Sequence, residues 1–305
     1  MKVYSSIDEF KHVKNAVVTT GTFDGVHLGH QKIISRLNDV AKAEQGETVL
    51  LTFFPHPRMV LFPDDNELKL ISTQSEKIEL LEKFGVEHLI IHPFSKDFSR
   101  LTSIEFVRNI LVNQLGTRKL VIGYNHHFGR NREGSFEHLK EFGPVYGFDV
   151  EEIPAKDIDN IEVSSTKIRN ALLAGNIPVA TSYLGHYYSI SGKVVQGKMN
   201  GRTIGFPTAN IHVEDRYKLI PKDGVYAVKV IAEGMQYKGM MNIGNNPTVE
   251  GKGRSIEVNI FNFDNDIYGK EITVSFEVKL RDEIKFESLD ALKNQLTQDK
   301  EMALR

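Results

Sequence analysis

The hydrophobic pattern changes near Gly185, and this change constrains the fold more than any other feature of the 305-residue chain. Before it, short apolar runs such as residues 48–54 alternate with segments whose apolar residues recur at helical spacing, one of them opened by a capping box of Thr73 and Glu76. A strand that is apolar throughout is typical of a parallel sheet covered on both faces. The alternation of strand and helix therefore predicts an α/β domain with a doubly wound parallel sheet, whose active site lies at the carboxyl ends of the strands.

After Gly185, apolar and polar residues alternate with a period of two. In the segment EITVSFEVKL, one face carries Ile272, Val274, Phe276, Val278 and Leu280. Several short strands with this period predict a small antiparallel β-barrel. Leucines at helical spacing after Ser288 predict one helix that closes it. We therefore predict two domains, residues 1–184 and residues 185–305.

The composition excludes several functional classes. The 38 Lys and Arg nearly balance the 40 Asp and Glu, which argues against a general nucleic-acid binder. The chain has no cysteine, so disulfides, zinc-thiolate sites and cysteine nucleophiles are excluded. No apolar run approaches the roughly 20 residues of a membrane-spanning helix, and the N-terminus lacks the apolar core of a signal peptide. We expect a soluble cytoplasmic protein, without nucleic acid, membrane or an obligate protein partner.

The stretch GTFDGVHLGH, residues 21–30, joins the first buried strand to a helix. Free N–H groups at the start of a helix favour an anion. His27 and His30 would point from the first turn into the crevice, where imidazoles can donate hydrogen bonds to phosphate oxygens. Gly25 and Gly29 leave room for a nucleotide against the backbone. A glycine-rich turn with two surface histidines explains H-x-G-H alone equally well.

Two further segments of the N-terminal half contain candidate site residues, but their patterns are less specific. VSSTKIR, residues 163–169, starts another helix with hydroxyl side chains, and Lys167 and Arg169 add positive charge suited to a pyrophosphate. An ordinary capped helix with solvated basic residues is the more common explanation of that pattern. His56 lies between two prolines where a strand ends, and it could belong to no more than a rigid turn.

The second half has its own candidate site. GKVVQGKMNGRTIGFPTAN, residues 192–210, carries glycines that can fold a loop over phosphates, although it does not match the Walker A pattern. Thr208 and Asn210 offer hard oxygen ligands of the kind that Mg²⁺ prefers. Glu257 lies opposite the apolar Ile256 and Val258, where an acid is usually just solvated but could be a general base. A glycine-rich hairpin in a barrel would explain the glycines equally well.

Taken together, the N-terminal motifs resemble the nucleotidylyltransferase superfamily, whose H-x-G-H loop and late S-S-T-x-x-R segment bind the phosphates of ATP. More narrowly, GTFDGVHLGH, PHP, FGRNREG and VSSTKIR, in this order, resemble the adenylyltransferase half of bacterial bifunctional riboflavin kinase/FAD synthetases. In the C-terminal half, GRTIGFPTAN, GVYAV, NIGNNPTVEG, IEVNIFNFDNDIYG and LRDEIKFESLDALKNQL resemble the riboflavin kinase domain. The resemblance covers nearly the whole chain.

The resemblance implies a Rossmann-like nucleotidylyltransferase domain followed by a small antiparallel barrel of the riboflavin kinase type. It implies FMN adenylyltransferase activity for residues 1–184 and riboflavin kinase activity for residues 185–305. ATP, riboflavin and FMN are the implied substrates, and Mg²⁺ is the implied metal ion. Both reactions belong to flavin cofactor biosynthesis.

The resemblance also implies roles for individual residues. It implies catalytic roles for His27, His30, Arg169 and Glu257, with Glu257 as the base. It implies that Thr208 and Asn210 hold Mg-ATP, and that the flavin lies near His56 and Arg281. Nucleotide contacts are implied for Gly21, Phe23, Asp24, Gly29, Asn125, Ser164, Ser165, Thr166, Lys167, Gly192, Gly197, Gly201 and Arg202.

One segment departs from the family pattern. Where the family typically has G-x-D-F-x-F-G, this chain has GYNHHFG, so that Asn125 replaces an acid and His126 an aromatic residue. Two alternatives stay open: an N-terminal half that adenylylates another acceptor or has lost its activity, which this departure supports, and a flavin-binding regulatory protein without turnover. Intact Glu257, Thr208 and Asn210 argue against the second alternative.

Overall fold

The chain forms two compact units, Met1–Ser164 and Ser165–Arg305, in a computed structural model. The structure describes residues 1–64, 68–124, 126–154, 163–197, 201, 204–244 and 254–305.

The first unit is built on six parallel strands: β1 (Lys2–Tyr4), β2 (Ala16–Thr20), β3 (Thr48–Phe54), β4 (His88–Pro93), β5 (Thr117–Gly123) and β6 (Asp149–Ile153). They form one sheet in the order β1-β4-β3-β2-β5-β6. Its helices are α1 (Leu28–Ala43), α2 (Pro57–Leu61), α3 (Gln74–Lys83), α4 (Ser103–Glu105, continued as π-helix over Phe106–Gln114) and α5 (Phe136–Tyr146). Short 3₁₀ helices lie at Ile7–Glu9, Phe98–Arg100 and Arg130–Arg132. The parallel sheet confirms the predicted architecture.

Both faces of this sheet are covered, as the apolar run of β3 predicts. Leu51 packs with Val18 in one apolar cluster, whereas its neighbour Leu50 packs with Ile34 and Leu81 in another. The capping box of Thr73 and Glu76 that opens α3 is confirmed. The short edge strand β1, which pairs in parallel with β4, was not predicted because three residues carry too little pattern.

The second unit contains a closed antiparallel barrel with the strand order β10-β11-β8-β7-β12-β9. Two helices, α6 (Ser165–Leu173) and α7 (Ile177–Leu184), precede the barrel, and α8 (Leu289–Leu304) follows it. The strands are β7 (Ser189–Val195), β8 (Ala209–His212), β9 (Gly224–Ala232), β10 (Met235–Gly244), β11 (Ser255–Ile260) and β12 (Glu271–Arg281). The predicted barrel and its terminal helix are both confirmed.

The predicted apolar face of β12 is wrong at Val278. Ile272, Val274 and Phe276 are buried as expected, but Val278 is 40 % exposed. The register of β12 against β9 shifts between Phe276 and Val278. A bulge of this kind inserts a residue into one strand, so the side chains beyond it fall out of the alternation.

The boundary between the compact units differs from the predicted domain boundary at residues 184 and 185. The units divide after Ser164, which groups α6 and α7 with the barrel. Direct contacts join these two helices to the barrel. α6 and α7 pack on each other, and α7 contacts β12. The backbone N–H of Lys222 donates to the carbonyl oxygen of Leu172 at 3.1 Å. The limits of the functional domains stay a prediction.

Candidate active sites

The H-x-G-H motif lies where β2 ends and α1 begins, at the carboxyl edge of the parallel sheet. His27 is the N-cap of α1, and its Nδ1 accepts a hydrogen bond from the backbone N–H of His30 at 3.4 Å. The two imidazole rings stack with their centroids 3.6 Å apart. The structure therefore brings the two predicted histidines together at a helix N-terminus, where an anion is favoured.

Hydrogen bonding and burial determine the protonation of these rings. Because Nδ1 of His27 accepts from a backbone N–H, the neutral ring carries its proton on Nε2. Burial lowers the pKa of His30 well below its ordinary value, and the neighbouring His27 and Lys77 side chains lower it further. Nδ1 of His30 is buried and has no hydrogen-bond partner among the described residues. Two neutral imidazoles at a helix start can each donate one hydrogen bond to a phosphate.

The loop that precedes His27 is strained. Phe23 and Val26 have positive φ angles of 48° and 40°, which side-chain-bearing residues rarely adopt. Phe23 is buried in an apolar cluster, and the buried carboxylate of Asp24 accepts hydrogen bonds from the backbone of Ile71 and Ser72. The side chains of Phe23 and Asp24 thus hold the loop in place, and the predicted nucleotide contacts at these positions stay a prediction.

Other candidate residues follow the strands that flank β2. His56 is the N-cap of α2 just after β3, and its Nδ1 accepts from the backbone N–H of Arg58 at 3.2 Å. His126 follows β5, and its Nε2 lies 3.2 Å from Oγ1 of Thr20 at the end of β2. Burial, with smaller effects of His127 and Arg132, lowers the pKa of His126 to about 4, so this ring is neutral at physiological pH.

These strand ends meet at one edge, because β3 and β5 are the two neighbours of β2 in a parallel sheet. The topology therefore gathers three segments that the sequence singled out separately, namely GTFDGVHLGH, PHP and GYNHHFG. Gly21 and Gly29 belong to the first of them, and a Cβ on Gly21 would meet the Phe23 ring at 3.0 Å. Asn125 lies outside the described residues.

The VSSTKIR segment begins a helix as predicted. α6 starts at Ser165, so Ser164 precedes the first helical residue and Thr166, Lys167 and Arg169 lie in the first turns. A helix N-terminus with two basic residues is suited to a phosphate. Because α6 belongs to the second compact unit, its predicted participation in the adenylyltransferase site stays a prediction.

In the barrel, Glu257 lies at the centre of a polar group on neighbouring strands. Its direct cross-strand partners are Asn210 on β8 and Asn242 on β10, and residues paired in this way share one face of the sheet. Oγ1 of Thr208 donates a hydrogen bond to Oε2 of Glu257 at 3.1 Å. The structure therefore brings together the predicted base and both predicted magnesium ligands. Asn242 was missed, since one asparagine in an apolar strand gives no signal without its partner.

The alternation around Glu257 is as expected. Ile256 and Val258 are buried, whereas Glu257 is half-buried on the opposite face. Asn259 lies on the same face as Glu257, and its amide donates to the carbonyl oxygen of Pro207 at 2.6 Å. That bond holds the segment with Thr208 beside β11.

A cavity of about 330 Å³ lies beside Thr208. It is lined by Thr208 and its neighbours Pro207 and Ala209, by Val194, Val258 and Ile260, and by residues 263–268, so it lies on the face of β11 opposite Glu257. Its size is within the range of small-molecule sites. Among the described residues, no group of three or more His, Asp or Glu side chains could hold a metal ion.

At three glycines of the predicted phosphate loop, another part of the chain packs too closely to allow a side chain. Gly192 lies within β7, where a Cβ would meet the carbonyl oxygen of His212 at 2.5 Å. A Cβ on Gly197 would collide with the Asn210 amide, and one on Gly201 with the carbonyl oxygen of Phe206. Close packing therefore explains these glycines, and their nucleotide contacts stay predictions. Arg202 lies outside the described residues.

Arg281, a predicted flavin contact, is held by an ion pair. Its Nε and Nη2 donate to the fully buried carboxylate of Asp299 on α8 at 2.8–3.0 Å. Gln295 also donates to Asp299, and the guanidinium lies 5.7 Å from the centre of the Phe286 ring. Arg281 thus joins β12 to the terminal helix, and its contact with flavin stays a prediction.

No helix in the described part of the chain is both long and apolar enough to traverse a bilayer.

Comparisons with known proteins match both halves of the chain. A family model for FAD synthetase matches residues 9–167, and one for riboflavin kinase matches residues 184–305. The bifunctional riboflavin kinase/FMN adenylyltransferase of Escherichia coli K12 is 37 % identical over 94 % of this chain and 91 % of its own length. The protein of the same name from Listeria monocytogenes is 38 % identical over 96 % and 93 %. A crystal structure described as a macrolide-efflux protein from Streptococcus pneumoniae has a TM-score of 0.90 and 34 % identity, covering 100 % of this chain and 98 % of that one.

Proposed function

The chain belongs to the family of bifunctional riboflavin kinases/FMN adenylyltransferases, and from this premise we propose how its residues divide the two reactions. The enzyme phosphorylates riboflavin with ATP to give FMN, and transfers AMP from ATP to FMN to give FAD and pyrophosphate. We assign adenylyl transfer to residues 1–184 and phosphorylation to residues 185–305. The matched family segments, 9–167 and 184–305, support this division.

Adenylyl transfer needs alignment and charge neutralisation more than it needs a base. The phosphate of FMN is already ionised, and its oxygen attacks the α-phosphorus of ATP while pyrophosphate leaves. The proton on Nε2 of His27 and the neutral ring of His30 can donate to the phosphate oxygens as charge shifts to the leaving group. Lys167 and Arg169 would add positive charge from the start of α6.

Phosphorylation of riboflavin needs a base, because a ribityl hydroxyl is a poor nucleophile. Glu257 accepts the hydroxyl proton while the oxygen attacks the γ-phosphorus of ATP and ADP leaves. Its carboxylate is oriented by the hydroxyl of Thr208, which donates to one oxygen and leaves the other to receive the proton. The cavity of about 330 Å³ beside Thr208 suits part of the nucleotide.

The donor set in the barrel fits Mg²⁺. The hydroxyl of Thr208 and the amide oxygen of Asn210 are hard ligands beside an acid, and Mg²⁺ in such enzymes takes few protein ligands and completes its shell with substrate phosphates and water. When bound, the ion neutralises charge on the phosphates of ATP.

We also propose that the enzyme acts in the cytoplasm on small molecules alone. Both reactions consume ATP, and the roles proposed above involve only this chain, its substrates and Mg²⁺. His56 and Arg281 are proposed to lie near the flavin in the first and second site, respectively.

The observation that supports the kinase assignment is the hydrogen bond from Thr208 to Glu257, whose cross-strand partner is Asn210. The division of labour is tested by a His27→Ala/His30→Ala double variant, with the exposed His12→Ala as control. Products from riboflavin and ATP are separated and identified by mass. The double variant should accumulate FMN and make no FAD, and the control should make both. Equal loss of both activities in a folded double variant would contradict separate sites.

A further inference from the structure

Lys77 is a buried cation that neither reaction, as assigned above, uses. It lies in α3, its side chain is 7 % exposed, and its Nζ donates to the carbonyl oxygen of Thr22 at 3.3 Å. Burial lowers its pKa to about 8, against the attraction of Asp24, so the side chain is still mostly charged near pH 7. A lysine is almost never buried in this way unless its charge has a partner or a task.

The partner is the loop between β2 and α1. The carbonyl oxygen of Thr22 accepts from Lys77 and also from Oγ1 of Thr52 at 3.2 Å. Two residues later, the carboxylate of Asp24 accepts from the backbone N–H groups of Ile71 and Ser72 at 2.9 and 3.2 Å.

Gly25, the next residue of the loop, also contacts Ile71 and Ser72. Its N–H donates to Oγ of Ser72 at 3.1 Å, and a Cβ at this position would meet Ile71 Cγ2 at 2.7 Å. The segment of residues 71–77, which we term the platform, therefore contacts three of the four residues from 22 to 25.

The loop needs such a platform because it is strained. Phe23 and Val26 both have positive φ angles, and Val26 is β-branched, so relaxation of the free loop would move both residues. His27 follows directly as the N-cap of α1, and His30 stacks on it. Any relaxation of the loop would therefore displace the two imidazoles from the start of the helix.

We propose that Lys77 is a positioning residue of the adenylyltransferase site, whose ammonium group holds the Thr22 carbonyl and so fixes His27 and His30 for the phosphates of ATP. This role rests on the proposed assignment of His27 and His30 to that site. Lys77 contacts the loop that precedes the two histidines, so we expect its effect to be on the geometry of ATP binding. Its removal should therefore act mainly on the use of ATP by this one reaction.

The test compares Lys77→Met with Lys83→Met, the same change at an exposed position of the same helix. Steady-state rates of FAD formation from FMN are measured as a function of ATP, and FMN formation from riboflavin is measured in the same preparations. A misplaced group typically lowers the rate of a reaction by about 10- to 100-fold. Lys77→Met should lose kcat/KM for ATP in FAD formation within that range, mostly through KM, with FMN formation unchanged. Lys83→Met should match the wild type in both reactions.

A second variant separates positioning from folding. Thr52→Val keeps the shape of a buried side chain and removes the other donor to the Thr22 carbonyl. It should raise the KM for ATP in the same reaction by a smaller factor, and its effect should be non-additive with Lys77→Met.

Unchanged ATP dependence in both variants, with wild-type enzyme making FAD, would overturn the role of Lys77 and leave the proposed function intact. Absence of FAD formation by the wild-type enzyme would instead overturn the function of the site. A Lys77→Met protein that loses FMN and FAD formation together would show that the residue serves the fold as a whole.

Discussion

Removing the buried charge of Lys77 should change how stability depends on pH. The pKa of Lys77 falls from 10.5 to about 8 in the folded chain, so between these two values the unfolded chain binds the proton that the folded chain has released. Stability conferred by this position therefore rises with pH across that window. At 1.36 kcal/mol per pKa unit, burying the charge lowers the free energy of unfolding by about 3 kcal/mol at pH 7. About 2.5 kcal/mol of this loss is recovered by pH 10, where the folded chain has released the proton.

The assay is urea unfolding followed by far-ultraviolet circular dichroism at pH 7 and pH 10, for wild type, Lys77→Met and Lys83→Met. Other titrating groups are common to all three proteins, so the difference from wild type isolates the substituted lysine. Between the two pH values, the free energy of unfolding of the wild type should rise by about 2.5 kcal/mol relative to Lys77→Met. It should not change relative to Lys83→Met. A difference between wild type and Lys77→Met that does not change with pH would refute the view that Lys77 is buried as a cation.

Three other changes have definite expected results. Asp299→Asn should remove about 3–5 kcal/mol from the stability of the second unit, measured by thermal unfolding, because it leaves the Arg281 guanidinium without its buried carboxylate. Gly197→Ala should reduce FMN formation while FAD formation from supplied FMN persists, because its methyl group collides with the Asn210 amide; equal loss of both activities would contradict this. Asn125→Asp, which restores the usual family residue, should retain FAD synthesis in a product assay; a folded but inactive variant would show that this segment binds its ligand differently.

The fold could be predicted from sequence wherever periodicity is long and regular. The apolar run of β3 and the alternation of β12 before Phe276 each indicate how their strand is buried. The bulge after Phe276 could not be predicted, because Val278 continues the alternation in the sequence while the pairing with β9 shifts in space. Apolar residues beyond a bulge still alternate with polar residues in the sequence, but their side chains no longer lie on the same face of the sheet.

The placement of candidate site residues could be predicted where their motif is contiguous in the sequence. The spacing of His27 and His30 is enough to place both at one helix start. Lys77 lies in the charged stretch EKIELLEK, which is typical of a solvated helix. Its burial depends on Thr22 and Asp24, some 50 residues earlier, and no local pattern reveals that contact. Asn242 was missed for the same reason, since its relation to Glu257 exists only across two strands.

The central claim is that one chain carries two separable active sites, with Glu257 as the base of one and His27 and His30 as phosphate ligands of the other. The most direct measurement mixes two variants, Glu257→Gln and His27→Ala/His30→Ala, and follows FMN and FAD formed from riboflavin and ATP. Glu257→Gln alone should make FMN about 10²- to 10⁴-fold more slowly, with little change in melting temperature, yet convert supplied FMN to FAD. The double variant alone should stop at FMN, and the mixture should make FAD. Near-normal FMN formation by Glu257→Gln, or a mixture that accumulates FMN without FAD, would contradict the account.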